Sequence, residues 1–190
     1  MGKPTRNEAL HAVRTLIEYI GDDPDRPGLL KTPERVLKAW YDEWGAGYRD
    51  MAFETTVFDN EGVLLPYDQM VFVKDIVFFS TCEHHLSPFF GTACVAYIPE
   101  KKIVGLSKLA RIVTHFAARL QVQERLVSEI AEFIEQEVSV HCAVMLEANH
   151  LCMCSRGCLQ PRSTTITTGL RGLFKRDPAT QDEFLNQCRR

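Results

Sequence analysis

In the stretch STCEHHLSPFFG, residues 80–91, a cysteine, an acid and two adjacent histidines stand between two apolar runs. Cys82 and His85 have the C-x-x-H spacing that lets one turn offer a soft sulfur and an imidazole to a single ion, which is half of a zinc site. A second group, His150-Leu151-Cys152-Met153-Cys154, follows about 65 residues later at the end of an apolar segment. Cys82, His85 and Cys152 make three ligands, and Cys154 or His150 would make four. The count matters, because a structural zinc closes its shell with four protein ligands, whereas a catalytic one keeps three and leaves a place for water. C-x-x-H alone is a weak signal; two such clusters in loops at strand ends favour a metal over incidental turns. A purely structural zinc is disfavoured by length, since 190 residues supply core enough to fold without a metal staple. His84 neighbours a ligand and projects elsewhere, so it is placed to act as a general acid or base, for which an imidazole is suited near neutral pH.

Cations come next. Gly105-Leu106-Ser107-Lys108-Leu109-Ala110-Arg111 opens a helix with Ser107 expected at its cap, and Lys108 and Arg111 lie three apart on one side of the first turn. Cations there oppose the helix dipole, so they are slightly unfavourable as plain surface residues, but beside free amide groups they make a ready anion site. Arg156, next to the second cysteine cluster, can add to the same field. No G-x-x-x-x-G-K-[ST] loop occurs, so a phosphate chain would be held by side chains rather than by a P-loop.

The elements that must position these groups follow from periodicity. Leu10, Val13, Leu16, Ile17 and Ile20 recur at helical spacing and Gly21 stops the run. Thr32-Pro33-Glu34 opens a second helix through about Trp44, with threonine expected at the cap and proline at the first helical position. Residues 69–79 and 91–98 read as strands, which makes STCEHHLSPFF the connection between them. Helices are expected from Ser107 to about Leu120 and over 122–137, strands over 138–147 and 163–172, and a last helix from Asp177. This order predicts an α+β layer, an antiparallel sheet covered by helices on one face.

Composition sets outer bounds. The formal net charge of -3 gives no basic field of the kind that binds nucleic acid non-specifically. The N-terminus lacks the apolar core and cleavage site of a secretion signal, and no segment approaches the ~18 uncharged apolar residues of a membrane span. A cytoplasmic location is expected, without nucleic-acid or membrane partners. Seven cysteines, an odd number, argue against a disulfide framework. Cys94 and Cys142, each inside an apolar run, are expected in the core, and Cys188, in a charged tail, is expected to be incidental.

Cys82-Glu83-His84-His85, Gly105-Leu106-Ser107-Lys108, Gln121-Val122-Gln123-Glu124-Arg125 and His150-x-Cys152-x-x-x-Arg156-Gly157 together resemble the GTP cyclohydrolase I family, in order and in spacing. The resemblance runs from about residue 7 to 187 and includes Thr32-Pro33-x-Arg35-Val36-x-Lys38 and Gly172-Leu173-Phe174. It implies a tunnelling fold with an N-terminal helical hairpin (residues 1–48) and a zinc-containing core (66–190) in a single domain. It also implies a toroidal homo-oligomer, a decamer of two pentameric rings with active sites between subunits. The implied zinc ligands are Cys82, His85 and Cys152, which leaves Cys154 outside. The implied activity is opening of the guanine imidazole ring of GTP, release of formate and rearrangement to 7,8-dihydroneopterin triphosphate. His84 then matches the acid and base of ring opening, His150 and Ser107 the later proton shuttles, and Glu124 the carboxylate at the guanine edge, with Gln123 beside it. Arg35, Lys38, Lys108, Arg111 and Arg156 match the triphosphate cage. In the family ring, the glutamate and the zinc turn of one pocket are expected from different chains. Leu120 stands where the family usually has proline, which is expected to loosen that turn, and Cys154 is an additional thiol. Two rivals remain: a relative that hydrates and opens the purine but stops early or uses another purine nucleotide, and a zinc-stabilised scaffold, which chelation would unfold rather than merely inactivate.

Overall fold

Two long strands carry the fold. β-branched and aromatic residues alternate between faces from residue 71 to 97, and a turn at 83–86 reverses the chain between them. The computed structural model describes residues 2–49, 55–60 and 67–189. It divides into two units, residues 1–46 and 47–190. Residue 66, where the core is expected to begin, lies outside the described residues.

In the first unit, α1 (Arg6–Tyr19) starts at Thr5, whose hydroxyl accepts from the Glu8 N–H while the Glu8 carboxylate accepts from the Thr5 N–H. It ends where Gly21 turns to φ +92°, a left-handed conformation open to glycine without strain. α2 (Thr32–Lys38) packs against α1 and runs on into a π-helical stretch, Ala39–Trp44. Its cap is Lys31 rather than the expected Thr32. The chain is already turning at Leu29, whose carbonyl takes the Thr32 N–H at 2.9 Å, so helical geometry begins one residue early. Pro33 falls at the second helical position, where a missing N–H breaks no helical bond.

The second unit begins with β1 (Val57–Asp59), β2 (Val71–Cys82), β3 (Ser87–Tyr97) and β4 (Lys102–Val104). There follow α3 (Leu106–Ala117), β5 (Leu120–Gln121), α4 (Gln123–Glu137), β6 (Cys142–His150) and the single turn α5 (Leu151–Cys154), then β7 (Thr165–Leu170), α6 (Leu173–Arg176) and α7 (Pro178–Arg189). One sheet has the order β5-β2-β3-β6-β7 and is antiparallel except where β5 joins β2; β1 and β4 form a separate pair. No helix among the described residues is long and apolar enough to cross a membrane.

Helices α3 and α4 cover one face of the sheet. Leu109, Ile112, Leu126, Ile130 and Ile134 meet Phe78, Phe89, Val95 and Leu146 there, each burial contributing about 1.5–3 kcal/mol. The expected one-sided cover is incomplete as a description, because α6 and α7 bring Phe174 and Phe184 against Cys94, Ala96 and Ala143 on the other face. Strand alternation explains both: Val95 faces one layer and its neighbours Cys94 and Ala96 the other. Cys188 on α7 packs with this second cluster and is not the incidental tail residue expected from the sequence. Beyond α6 and α7 the same face leaves Val77, Phe79 and Ile166 exposed, at 61%, 63% and 58%.

Register then brings the functional segments together. Cys82 at the end of β2 pairs with Ser87 of β3 and with Gln121 of β5, while Phe89 of β3 pairs with His150 at the end of β6. Gly91 makes this approach possible, because a Cβ there would stand 1.8 Å from the Glu147 carbonyl oxygen. Four strand ends therefore meet at one edge of the sheet, and both cysteine clusters emerge from it.

Candidate active site

The turn Glu83–Leu86 is held by backbone bonds. The His85 and Leu86 N–H groups donate to the Cys82 carbonyl at 3.3 and 2.9 Å, and the Glu83 N–H donates to the Gln121 carbonyl at 3.1 Å. Leu86 sits at φ +52°, which closes the turn tightly enough to fold His85 back over Cys82. The His85 Nδ1 stands 3.7 Å from the Cys82 Sγ, and the Cys152 Sγ stands 4.0 Å from the same sulfur. All three donor atoms lie within 4.8 Å of one another, and among the described residues no other group of three such ligands does.

These spacings suit one ion. With Zn–S at about 2.3 Å and Zn–N at about 2.0–2.1 Å, tetrahedral ligands stand roughly 3.8 Å apart for two sulfurs and roughly 3.5 Å for sulfur and nitrogen. Burial, followed by the neighbouring Cys82, pushes the Cys152 thiol up, so without a cation the two sulfurs resist ionising together. The fourth-ligand alternatives separate cleanly. Cys154 is two positions, about 200°, around α5 from Cys152, and its Sγ lies 3.6 Å from the Gln160 carbonyl oxygen instead. His150 has its Nε2 engaged by the Gln123 Oε1 at 2.8 Å. Three ligands and an accessible turn are the pattern of a site that keeps a position open.

Around the trio the side chains differ in freedom. His84 is exposed on the turn, its Nε2 3.9 Å from a Glu83 oxygen. Glu83 pairs with Arg125 of α4, which holds its carboxyl below the usual carboxylate range. Arg125 also donates to the Gln121 side chain at 2.9 Å and to the Leu120 carbonyl at 3.0 Å. This network ties the metal turn to the start of α4. The sequence reading missed it, although an acid between a candidate ligand and a candidate catalytic histidine is a signal that asks for a partner. Leu120, where the family usually has proline, gives the turn a further tie. Its N–H donates to the Tyr48 Oη at 3.0 Å, a bond that proline could not make.

The chain matches the family model described as GTP cyclohydrolase I over residues 9–189. It is 50% identical over 182 residues to GTP cyclohydrolase 1 of Sulfurihydrogenibium sp. (strain YO3AOP1), covering 95% of this chain and 94% of that one. It is 52% identical over 175 residues to the Aquifex aeolicus (strain VF5) protein of that name, covering 92% and 91%. The corresponding Brucella anthropi protein is 48% identical over 192 residues, covering 100% of this chain and 88% of its own. This chain belongs to the GTP cyclohydrolase I family.

The substrate-side residues expected for that family fall into three groups. Glu124 is exposed at the start of α4 and lies close enough to His150 for its charge to raise the imidazole's pKa; burial, the larger effect, lowers it. Glu124 and His150 thus stand near one another within one chain. Arg156 is near enough to Cys152 for its charge to act on the thiol. Ser107, Lys108 and Arg111 occupy the first turns of α3, but Ser107 is not its cap. Gly105 takes that place in an extended conformation, and its carbonyl accepts from the Lys108 N–H at 2.8 Å, which sets Ser107 at the second helical position. Arg35 and Lys38 are exposed on α2 in the first unit, where Lys38 pairs with Asp42 at 3.2 Å. Gln123 differs from all of these. It is 1% exposed, with both ends of its carboxamide hydrogen-bonded inside the chain.

Proposed function

We infer that this chain converts GTP to 7,8-dihydroneopterin triphosphate and formate. The observation that carries the reading is the cysteine, histidine, cysteine trio, three donor atoms within 4.8 Å at the meeting point of four strand ends, in a chain of the GTP cyclohydrolase I family. A zinc ion held by Cys82, His85 and Cys152 with its fourth position open supplies a water activated near neutral pH and a Lewis acid. His84, exposed beside the trio, delivers a proton to the guanine imidazole as carbon 8 is hydrated, and the ring opens to a formamide. A second hydrolysis releases formate. His150 and Ser107 move protons while the ribose rearranges and closes on the pyrimidine amine. Two waters enter across these steps and one leaves on closure.

Binding divides by charge. Glu124, at the positive end of α4, accepts hydrogen bonds from the guanine edge. Lys108, Arg111 and Arg156, with Arg35 and Lys38, neutralise the triphosphate. The assembly belongs to the same reading: a toroidal decamer of two pentameric rings, with active sites at subunit boundaries completed by cations of neighbouring chains. Two features support closure by other copies. Among the described residues no strand pairs with residues 71–80 of β2 on the side away from β3, and Val77, Phe79 and Ile166 leave an apolar stretch exposed. A cytoplasmic setting fits the seven free thiols.

Incubating the zinc-loaded protein with GTP tests the reaction. Formate and, after oxidation, a fluorescent pterin are expected in equal amounts. Unchanged GTP, or a ring-opened formamide as the end product, would contradict it.

A further inference from the structure

The Gln123 side chain is buried between α4, β6 and β7. Its Nε2 lies 3.1 Å from the Leu146 carbonyl oxygen, 2.9 Å from the Thr165 carbonyl oxygen and 3.1 Å from the Thr167 Oγ1. Its Oε1 lies 2.8 Å from the His150 Nε2. Backbone carbonyls only accept, so the atom facing Leu146 and Thr165 has to be the amide nitrogen. Turned over, the carboxamide would set a buried oxygen against two carbonyl oxygens, which have no hydrogen to give it, and leave both of them without their donor. The oxygen therefore faces His150, and an oxygen there can only accept. It follows that the His150 Nε2 carries a hydrogen, and that in the neutral ring Nδ1 holds the single free lone pair. Phe89 fixes the plane of the ring, stacking on it face to face with centroids 4.5 Å apart and an angle of 3°.

We propose that Gln123 is a positioning residue: it locks His150 in the Nε2–H tautomer, so that Nδ1 is the nitrogen that exchanges protons with the substrate, and it does not itself contact GTP. The chain of constraint runs from two backbone carbonyls of β6 and β7, through one amide, to one imidazole. Each link is a hydrogen bond whose direction the previous link dictates. The lock is available only because Gln123 opens α4 where its side chain can reach both strands, and because the β3 to β6 register sets Phe89 under the ring. The proposal rests on the reading of His150 as a proton shuttle in the GTP cyclohydrolase I reaction.

Neutron diffraction from deuterium-exchanged crystals of the zinc-loaded protein, at a pD where the ring is neutral, reads the tautomer directly. Deuterium on Nε2 and none on Nδ1 is expected. Deuterium on Nδ1 with a bare Nε2 would overturn the proposal, whatever the enzyme's activity. The kinetic arm uses Gln123→Met, which keeps side-chain length and removes every polar contact. Pterin formation should fall about a hundredfold, the scale of a misplaced general acid or base, with ring-opened formamide accumulating and KM for GTP within about twofold of the parent. A raised KM with pterin turnover preserved would make Gln123 a substrate contact and sink the idea. Should Gln123→Met fail to fold, the neutron result on the parent protein still decides. A parent protein that left GTP untouched would remove the functional reading while the tautomer assignment stood or fell separately.

Discussion

Cys152 and His150 are two residues apart, yet the surroundings of one are the reverse of the other's. Cys152 sits on a single helical turn with two other potential ligands for company, the buried Cys82 and the exposed His85. His150 ends a strand, stacked on Phe89 and bonded to an amide whose nitrogen is itself saturated. Three donor atoms that converge on one point are arranged for something from outside, whereas a ring whose partners are all internal is arranged to hold still. Under the proposed function one strand end would serve two purposes: β6 would deliver a rigid proton carrier and, one turn later, a ligand for an ion.

The sharpest way to break this comparison is to cross the two halves of α5. Cys152→Ser should lose zinc and bring activity to background, since several kcal/mol of transition-state stabilisation go with the metal. Cys154→Ser should keep full zinc and activity within about twofold, as a neutral surface change does. Metal content and GTP turnover check both; full zinc in Cys152→Ser would mean that Cys154 is the ligand.

The histidines should separate by stage. His84→Ala should stop GTP consumption, by about 10²–10⁴-fold, because the exposed turn histidine acts at ring opening. His150→Ala should still consume GTP but accumulate formamide, with pterin formation reduced over a similar range. Product analysis by chromatography distinguishes them, and identical blocks at GTP consumption would contradict the division.

Two smaller effects test how the site is tied together. Leu120→Pro removes the N–H that reaches Tyr48, a net loss of about 1 kcal/mol, and should lower the midpoint of thermal unfolding by about 2–4 °C. An unchanged or higher midpoint would show that the bond contributes nothing. Mixing exchangeable Cys82→Ala and Glu124→Ala subunits should restore no activity if the Glu124 that stands near His150 serves the pocket of its own chain. Recovery near the quarter expected when two chains each give one half of a pocket would contradict this.

How far the sequence reaches depends on how local each feature is. C-x-x-H spacing is a property of one turn, so Cys82 and His85 could be read as a pair, and helical periodicity gave α1, α3 and α4 to within a few residues. Ser107 was misplaced by two positions because a glycine in extended conformation can end the non-helical chain as well as a serine can, and the four-residue stretch does not say which does. The cover of the second face by α6 and α7 was hidden because Phe174 and Phe184 acquire their partners only once β3 and β6 are paired. Gln123 was the least legible residue. Its sequence position at a helix start suggests a free, dipole-facing amide, and its three acceptors arrive from strands 23, 42 and 44 residues away.

The central claim is a three-ligand metal site with its fourth position open, and X-ray absorption at the zinc edge of the loaded protein tests it most directly. Two sulfurs at about 2.3 Å and two nitrogen or oxygen neighbours at about 2.0–2.1 Å are predicted, one of the light neighbours exchanging with added anions. Three sulfurs, or a shell of four protein ligands that no small molecule perturbs, would contradict it.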